Sequence, residues 1–233
     1  MALAASVIGG VAGYGTGALL PLVLVPVVGP EPVVPILSLA ALFTNSSRLT
    51  AFRRYIDGRR AAIVLAASIP TAALGAWGYT FLTGRGAALV IGGMMIASVP
   101  LRRMAKRRGL VLSDRSLAGV AVGWGFIIGG TTSGGIILLS MLMAVGIEGA
   151  AVIATDATVS FFIGITKFAV FGVSGVVTAK VIAVALLIGF VAFPGAFLAR
   201  VLVERMPVHM HSAILDVVII AGGAMMIAAA FWN

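Results

Sequence analysis

The sequence contains no cysteine, which excludes a disulfide framework, a thiolate metal site and a cysteine nucleophile. Its only histidines are His209 and His211, and no other ligand types accompany them, so we expect no metal site. The chain also lacks a Walker sequence and a nucleophile elbow. These absences predict a protein that is not an enzyme and that carries no cofactor.

Charged residues are also scarce. They make up 10% of the chain, against roughly a quarter in soluble domains. Hydrophobic residues make up 61%, and the mean hydropathy is +1.18. A water-soluble fold of 233 residues cannot bury so much apolar surface. Because the apolar residues form continuous runs instead of alternating, a membrane β-barrel is excluded, and we predict an all-α integral membrane protein.

The apolar runs are long enough for membrane helices, each of which needs roughly 20 residues to cross the hydrocarbon layer. About eight such segments fit into the chain. We expect them at residues 2–28, 32–51, 60–82, 86–101, 116–146, 149–170, 179–203 and 210–232.

The basic residues lie between these segments and give the chain a net charge of +9. The two strongest clusters are residues 53–60 and 102–108. Basic connectors orient membrane helices and contact anionic lipid, so both clusters are expected to face the cytoplasm. We therefore predict membrane lipid as a partner and no nucleic acid.

An internal repeat relates the two halves of the chain. A shift of 117 residues places Gly13 on Gly130, Gly17 on Gly134, Gly29 on Gly146, Glu31 on Glu148 and Gly58 on Gly175. After a small insertion, Gly75-Ala76 falls on Gly195-Ala196. Internal repeats are typical of secondary transporters. We predict a first membrane repeat at 1–101, a basic cytoplasmic linker at 102–115 and a second membrane repeat at 116–233.

Each half has a Gly-rich interruption in its first segment, at residues 9–17 and 129–135. Glycine costs roughly 1 kcal/mol relative to alanine inside a helix, so such clusters favour unwound backbone. Unwound backbone at membrane depth is tolerated only where protein or a water-filled cavity receives its polar groups. Paired interruptions are typical of a transporter's binding site, and the alternative is close helix packing through small residues.

The interrupted segments leave two topologies open. If they cross the membrane fully, each half has four spans and the repeats are parallel. If they are re-entrant, each half has three crossings and the repeats are inverted. The basic residues do not distinguish these topologies. We favour inversion, because each interrupted segment offers two apolar stretches of about 12 residues, too short to cross alone.

The interruptions also supply candidate ligands. A helix that starts after a break presents free backbone N–H groups and about half a positive charge, which together bind anions. Polar and charged residues of the second and sixth segments form the next layer. The candidate substrate-binding residues are Gly15, Thr16, Gly17, Asn45, Ser46, Arg48, Thr131, Thr132, Ser133, Gly134, Gly135, Thr155, Asp156 and Lys167.

Asp156 is the most informative of these residues, because a charge at the centre of a membrane helix costs roughly 2.5 to 3.5 kcal/mol. It is either a proton-coupling or site-shaping carboxylate, or a buried residue that pairs with Lys167 or Arg48 for assembly. Lys167 and Arg48 are alternatively interfacial residues whose charged ends reach the membrane surface.

The Gly-rich opening Gly13–Leu22, a polar second segment, the connector Asp57–Arg59 and the pair Gly75-Ala76 follow one another and are repeated in the second half. Over nearly the whole chain, this pattern resembles the TauE/SafE family of sulfite and organosulfonate exporters. The family's triple-glycine stretch is here Gly15-Thr16-Gly17 and Ser133-Gly134-Gly135. The resemblance implies export, or in some members uptake, of small sulfur-containing anions across the bacterial cytoplasmic (inner) membrane, without a prosthetic group.

The predicted function is therefore secondary transport, with export as the expected direction. A small anion such as sulfite or an organosulfonate is expected to move by alternating access at a midplane site between the two repeats. The alternative is an anion channel with a Gly-rich pore. The expected partners are the small anionic substrate and membrane lipid, and a homodimer is left open as the assembly.

Overall fold

The computed structural model describes residues 16–108, 111–132, 134–193, 220, 223–224 and 227–228. Within these residues every long regular element is an α-helix, and there is no strand. A short 3-10 helix, Arg53–Tyr55, follows the second α-helix. The helices are α1 (Thr16–Val28), α2 (Val33–Phe52), α3 (Gly58–Tyr79), α4 (Gly84–Arg108), α5 (Asp114–Gly129), α6 (Gly135–Ala144), α7 (Ala150–Val173) and α8 (Ala179–Ala192).

The prediction of an all-helical, apolar chain is confirmed. By length and composition, α3 and α7 are each able to cross a membrane. Two shorter apolar helical stretches lie at Gly84–Ala97 and Ala179–Ala192. The number of membrane spans and the division into repeats stay predictions. Helix α4 also continues to Arg108, through the basic cluster that we assigned to the linker.

The fifth predicted segment is interrupted at its glycines. Helix α5 ends at Gly129, and α6 begins at Gly135. The corresponding interruption in the first segment falls on residues 9–17, of which 9–15 lie outside the described residues. Within the described part, α1 begins at Thr16, directly after that stretch.

Polar caps and left-handed glycines determine where several helices begin and end. Asp57 caps α3, and Thr178 caps α8, because each side chain accepts a hydrogen bond from a first-turn N–H. Gly29 follows α1 with φ +82°, and Gly146 follows α6 with the same φ. Only glycine adopts this conformation without strain, so the chain turns sharply at both positions before the next long helix.

One end of the helix bundle collects basic residues, and we call it the basic face (residues 53–60, 111–115 and 144–150). Arg59 Nη2 lies 2.7 Å from Asp114 Oδ2, which places the first turns of α3 and α5 side by side. The N–H of Asp57 donates to Thr155 Oγ1 at 3.0 Å, so the start of α7 lies there too. Helices α3, α5 and α7 therefore all begin at the basic face.

The other end of the bundle, the opposite face, contains residues 28–33, 79–84 and 174–179. The hydroxyl of Tyr79 donates to the carbonyls of Pro30 and Glu31 at 3.0 and 3.2 Å. Val28, Tyr79 and Thr178 line one pocket there. Helix α3 therefore ends where α2 and α8 begin, so α2 runs toward the basic face and is antiparallel to α7.

Helices α5 and α6 form a hairpin. The N–H of Leu112, just before α5, donates to the carbonyl of Ala144, the last residue of α6, at 2.7 Å. The two helices have 16 and 10 residues, about 24 and 15 Å of rise. The hairpin therefore leaves the basic face along α5 and returns to it along α6.

Helices α3 and α5 pack closely because glycines line their contact. A Cβ on Gly125 would lie 2.6 Å from the carbonyl oxygen of Ser68, and one on Gly129 would lie 2.8 Å from the backbone nitrogen of Ala76. Atoms do not approach so closely without displacement, so neither position has room for a side chain. The small-residue packing that we considered for the glycine cluster thus applies to Gly129.

We predict that Gly129→Ala destabilises the protein by about 1–3 kcal/mol, because the added methyl group forces α3 and α5 apart. Gly123→Ala is the matched control: it lies on the same helix, and an added Cβ there has no neighbour within 4 Å. The measurement is thermal unfolding of the purified protein in detergent. Equal melting temperatures for the two variants would show that the helix contact is not this close.

The hairpin predicts the side from which single cysteines react, and the natural chain has no cysteine to interfere. Val111→Cys and Glu148→Cys, both at exposed positions of the basic face, should react with an impermeant maleimide from one side of the membrane. Thr83→Cys should react from the other side. Reaction of Glu148→Cys from the Thr83 side would mean that the interrupted segment crosses the membrane.

Candidate anion site

Two buried side chains donate hydrogen bonds to carbonyl groups in and beside the break between α5 and α6, residues 130–134. Lys167 Nζ on α7 donates to the carbonyls of Ile128 at 2.8 Å and Thr131 at 2.6 Å. Trp124 Nε1 on α5 donates to the carbonyl of Gly134 at 2.8 Å. The protein itself therefore supplies donors to these three carbonyls, which bilayer lipid cannot do.

The Lys167 side chain brings a charge into this break. The residue is 5% exposed, and in the described part of the chain no carboxylate forms a salt bridge with it. The two carbonyls lie at the end of α5, where the helix dipole is negative and favours a cation. An ammonium group has three N–H donors, and these carbonyls use two of them. The third N–H has no hydrogen-bond partner among the described residues.

Further donors lie beside Lys167. The hydroxyl oxygen of Thr132 is buried and has no hydrogen-bond partner among the described residues. Helix α6 starts at Gly135 after the N-cap Gly134, which has no side chain to cap the N–H groups that open the helix. We call Lys167, Thr132 and the start of α6 the break cluster. Its donors and positive charge suit a small anion.

A second charged cluster joins α2 to α7 nearer the basic face. Arg48 Nη2 lies 2.8 Å from Asp156 Oδ2, and the two side chains are 11% and 2% exposed. Arg48 Nη1 also donates to Asn45 Oδ1 at 3.4 Å. We call these three residues the ion-pair cluster. Of the partners that we considered for Asp156, the structure shows Arg48, while Lys167 binds the break.

The two clusters lie on one side of α7. Asp156 and Lys167 are eleven residues apart, which is three helical turns and about 16 Å along the axis. Between them, a Cβ on Gly164 would meet the side chain of Leu42 on α2 at 2.8 Å, so α2 and α7 are close there. The break cluster is therefore toward the opposite face, and the ion-pair cluster is toward the basic face.

Three other candidate residues use their hydroxyl groups within the protein. Thr155 Oγ1 accepts from the N–H of Asp57 and joins α7 to the start of α3. Ser46 donates to the carbonyl of Phe43 at 2.8 Å, and Thr131 donates to that of Ile127 at 2.9 Å. The structure brings Thr131 to the break through its carbonyl group, and the other two lie away from it.

The remaining candidates are glycines and neighbours of the two interruptions. Gly135 is the first residue of α6, and a Cβ there has no neighbour within 4 Å. Thr16 and Gly17 open α1. Gly15 and Ser133 lie outside the described residues.

Sequence reasoning missed Trp124 and Ile128, which form part of the break. A Trp in an apolar segment carries one N–H that needs a buried partner, so Trp124 was a signal that could have been used. Nothing in the sequence marks the carbonyl of Ile128 as an acceptor, because every residue has one. Its role depends on where the helix ends.

We predict that Lys167→Met destabilises the protein, because the carbonyl of Thr131 loses its donor and that of Ile128 keeps only backbone N–H groups, among them that of Thr131 at 3.3 Å. A buried carbonyl left without a partner costs about 1–3 kcal/mol. Lys180→Met, at an exposed position of α8, serves as the control for loss of one positive charge. Thermal unfolding in detergent measures both, and unfolding of Lys167→Met at the wild-type temperature would contradict the role assigned to the ammonium group.

Comparison with known families confirms the resemblance seen in the sequence. The family model described as Sulfite exporter TauE/SafE matches residues 1–226 of the chain. No curated protein and no solved structure matches it. The family's members are integral membrane permeases of the sulfite and organosulfonate exporter type, and they are transporters, not enzymes. Because the match covers nearly the whole chain, the protein belongs to the TauE/SafE family.

Proposed function

We propose that the protein is a secondary transporter that exports a small sulfur-containing anion, such as sulfite or an organosulfonate, across the cytoplasmic membrane. One observation carries the proposal: the buried Lys167 ammonium lies in a helix break, and no carboxylate pairs with it in the described part of the chain. A buried charge is costly unless it is paired. The transported anion is the partner that completes the site.

The donors of the break cluster suit the shape of a sulfur oxyanion. Sulfite and sulfonate groups spread their charge over three oxygen atoms, so several donors in different directions bind them better than one lysine alone. Lys167 offers one N–H, Thr132 a hydroxyl, and α6 the N–H of its first residue, Gly135. The family match supports the same class of substrate.

Alternating access requires two units that can exchange conformations. The helix directions support two such units, related as inverted repeats. Helices α2 and α7 each follow a left-handed glycine, Gly29 and Gly146, which the shift of 117 residues superimposes. The same shift carries Val33, the first residue of α2, onto Ala150, the first residue of α7. These two helices pack against each other and are antiparallel. Equivalent helices that run in opposite directions are what inversion requires.

The packing of the third helix in each half supports the same arrangement. Helix α2 packs against α8, and α7 packs against α3. If α3 and α8 are equivalent helices of the two halves, the α2–α8 contact and the α7–α3 contact are related by the repeat. We therefore propose that repeats 1–101 and 116–233 rock against each other at the α2–α7 interface, and that the break cluster opens to each side in turn.

We predict that Thr132→Val weakens binding of the anion by about fivefold to tenfold, because one hydrogen bond contributes about 1 kcal/mol. Thr158→Val is the matched control, since its hydroxyl already donates to the carbonyl of Ala154 at 2.8 Å within α7. Isothermal titration of the purified protein with sulfite, taurine and sulfoacetate measures the affinity.

Equal affinities for the two variants would place the anion elsewhere. Transport is tested separately in proteoliposomes with the anion that binds. Saturable flux is expected of a carrier, and flux that rises linearly with concentration at channel-like rates would contradict alternating access.

A further inference from the structure

The ion pair between Arg48 and Asp156 is incomplete. Arginine and a carboxylate commonly form two parallel hydrogen bonds, but here only Nη2 and Oδ2 are joined, at 2.8 Å. Arg48 Nε and Asp156 Oδ1 are both buried, and neither has a partner among the described residues. A pair retained only for assembly gains stability by closing the second bond. This pair leaves one donor and one acceptor free.

The other charged groups near the start of α7 do not compete for Arg48. Asp57 pairs with Arg60 at 3.0 Å, and Asp114 pairs with Arg59 at 2.7 Å. On the 3-10 helix that packs against α7, Arg53 and Arg54 are exposed. On α7 itself Lys167 binds the break, three turns away. In the described part of the chain, the Asp156 carboxylate is thus the one anion that Arg48 contacts.

We propose that Arg48 is a second anion-binding group and that the Asp156 carboxylate occupies it when no substrate is present. The transported anion displaces the carboxylate when Asp156 takes up a proton at Oδ1. One anion and one proton enter the cluster together, so its net charge does not change. On the other side of the membrane the anion leaves, Asp156 releases its proton, and the pair re-forms.

This inference rests on the proposed function and adds its coupling. Because anion and proton bind together, they move in the same direction, one proton with each monovalent anion. Transport of a sulfonate is then electroneutral, and a pH difference drives it toward the side of higher pH, so export proceeds where the outward gradient of the anion exceeds the inward gradient of protons. Without this coupling, a monovalent anion would carry one net charge across the membrane.

The first test measures proton uptake when methanesulfonate, which stays ionised throughout the pH range used, binds to the purified full-length protein. Isothermal titration in buffers with different ionisation enthalpies should show proton uptake by the wild type, one proton for each anion that binds at Arg48, and none by Asp156→Asn. Wild-type affinity should fall about tenfold for each pH unit above the titration of Asp156. Glu148→Gln removes an exposed carboxylate of the basic face and should keep the proton uptake.

A second test needs no variant and so does not depend on the folding of Asp156→Asn. Wild-type protein in proteoliposomes that contain a pH-sensitive dye should acidify the interior when methanesulfonate is added outside. Binding or flux of methanesulfonate without proton movement would overturn the coupling and leave the proposed function standing. Proton uptake by Asp156→Asn equal to that of the wild type would overturn the role of Asp156. Failure to bind methanesulfonate, sulfite and taurine would instead overturn the proposed function, and the coupling with it.

Discussion

The hydrogen bonds from the Lys167 ammonium to the carbonyls of Ile128 and Thr131 are the interaction on which the rest of the structure depends. A chain that turns back inside a membrane leaves carbonyl groups at the end of its first helix, and lipid offers them no donor. Lys167 supplies two donors and a charge that the end of α5 favours. The same hydrogen bonds hold the α5–α6 hairpin against α7. The candidate anion site therefore depends on a lysine that holds the helix break against α7.

The Arg48 and Lys167 cations are stabilised in different ways, and this difference supports different proposed roles in anion binding. Arg48 has a carboxylate at 2.8 Å, so its charge is compensated inside the protein. Among the described residues, Lys167 has only carbonyl dipoles, which offset part of its charge, so an anion bound in the break would offset the rest. An anion that approaches Arg48 must first displace Asp156. These contacts support our proposals that the break cluster binds an anion directly and that the ion-pair cluster binds one only together with a proton.

Much of the fold follows from local rules that the sequence displays. Apolar runs predict the long helices, and the glycine cluster predicts the break between Gly129 and Gly135, since local propensity decides both. The return of α6 to the basic face depends on the bond between Leu112 and Ala144, which the sequence does not mark. The partners of Lys167 were also beyond prediction. Spacing places it on one side of α7 but does not say which helix end lies opposite.

The proposed repeat relates the glycines and the helix starts of the two halves, but it does not relate their charges. The shift of 117 residues that superimposes Gly29 on Gly146 carries Arg48 onto Ile165, Lys167 onto Thr50 and Asp156 onto Leu39. Two inverted units with identical side chains would have equal energies facing either side of the membrane. Here one half holds a cation beside a helix end and the other contributes a cation to a carboxylate, so the two orientations differ in free energy. If the repeats are inverted, as we propose, their symmetry provides the motion, and the unequal charges determine which orientation the empty protein prefers.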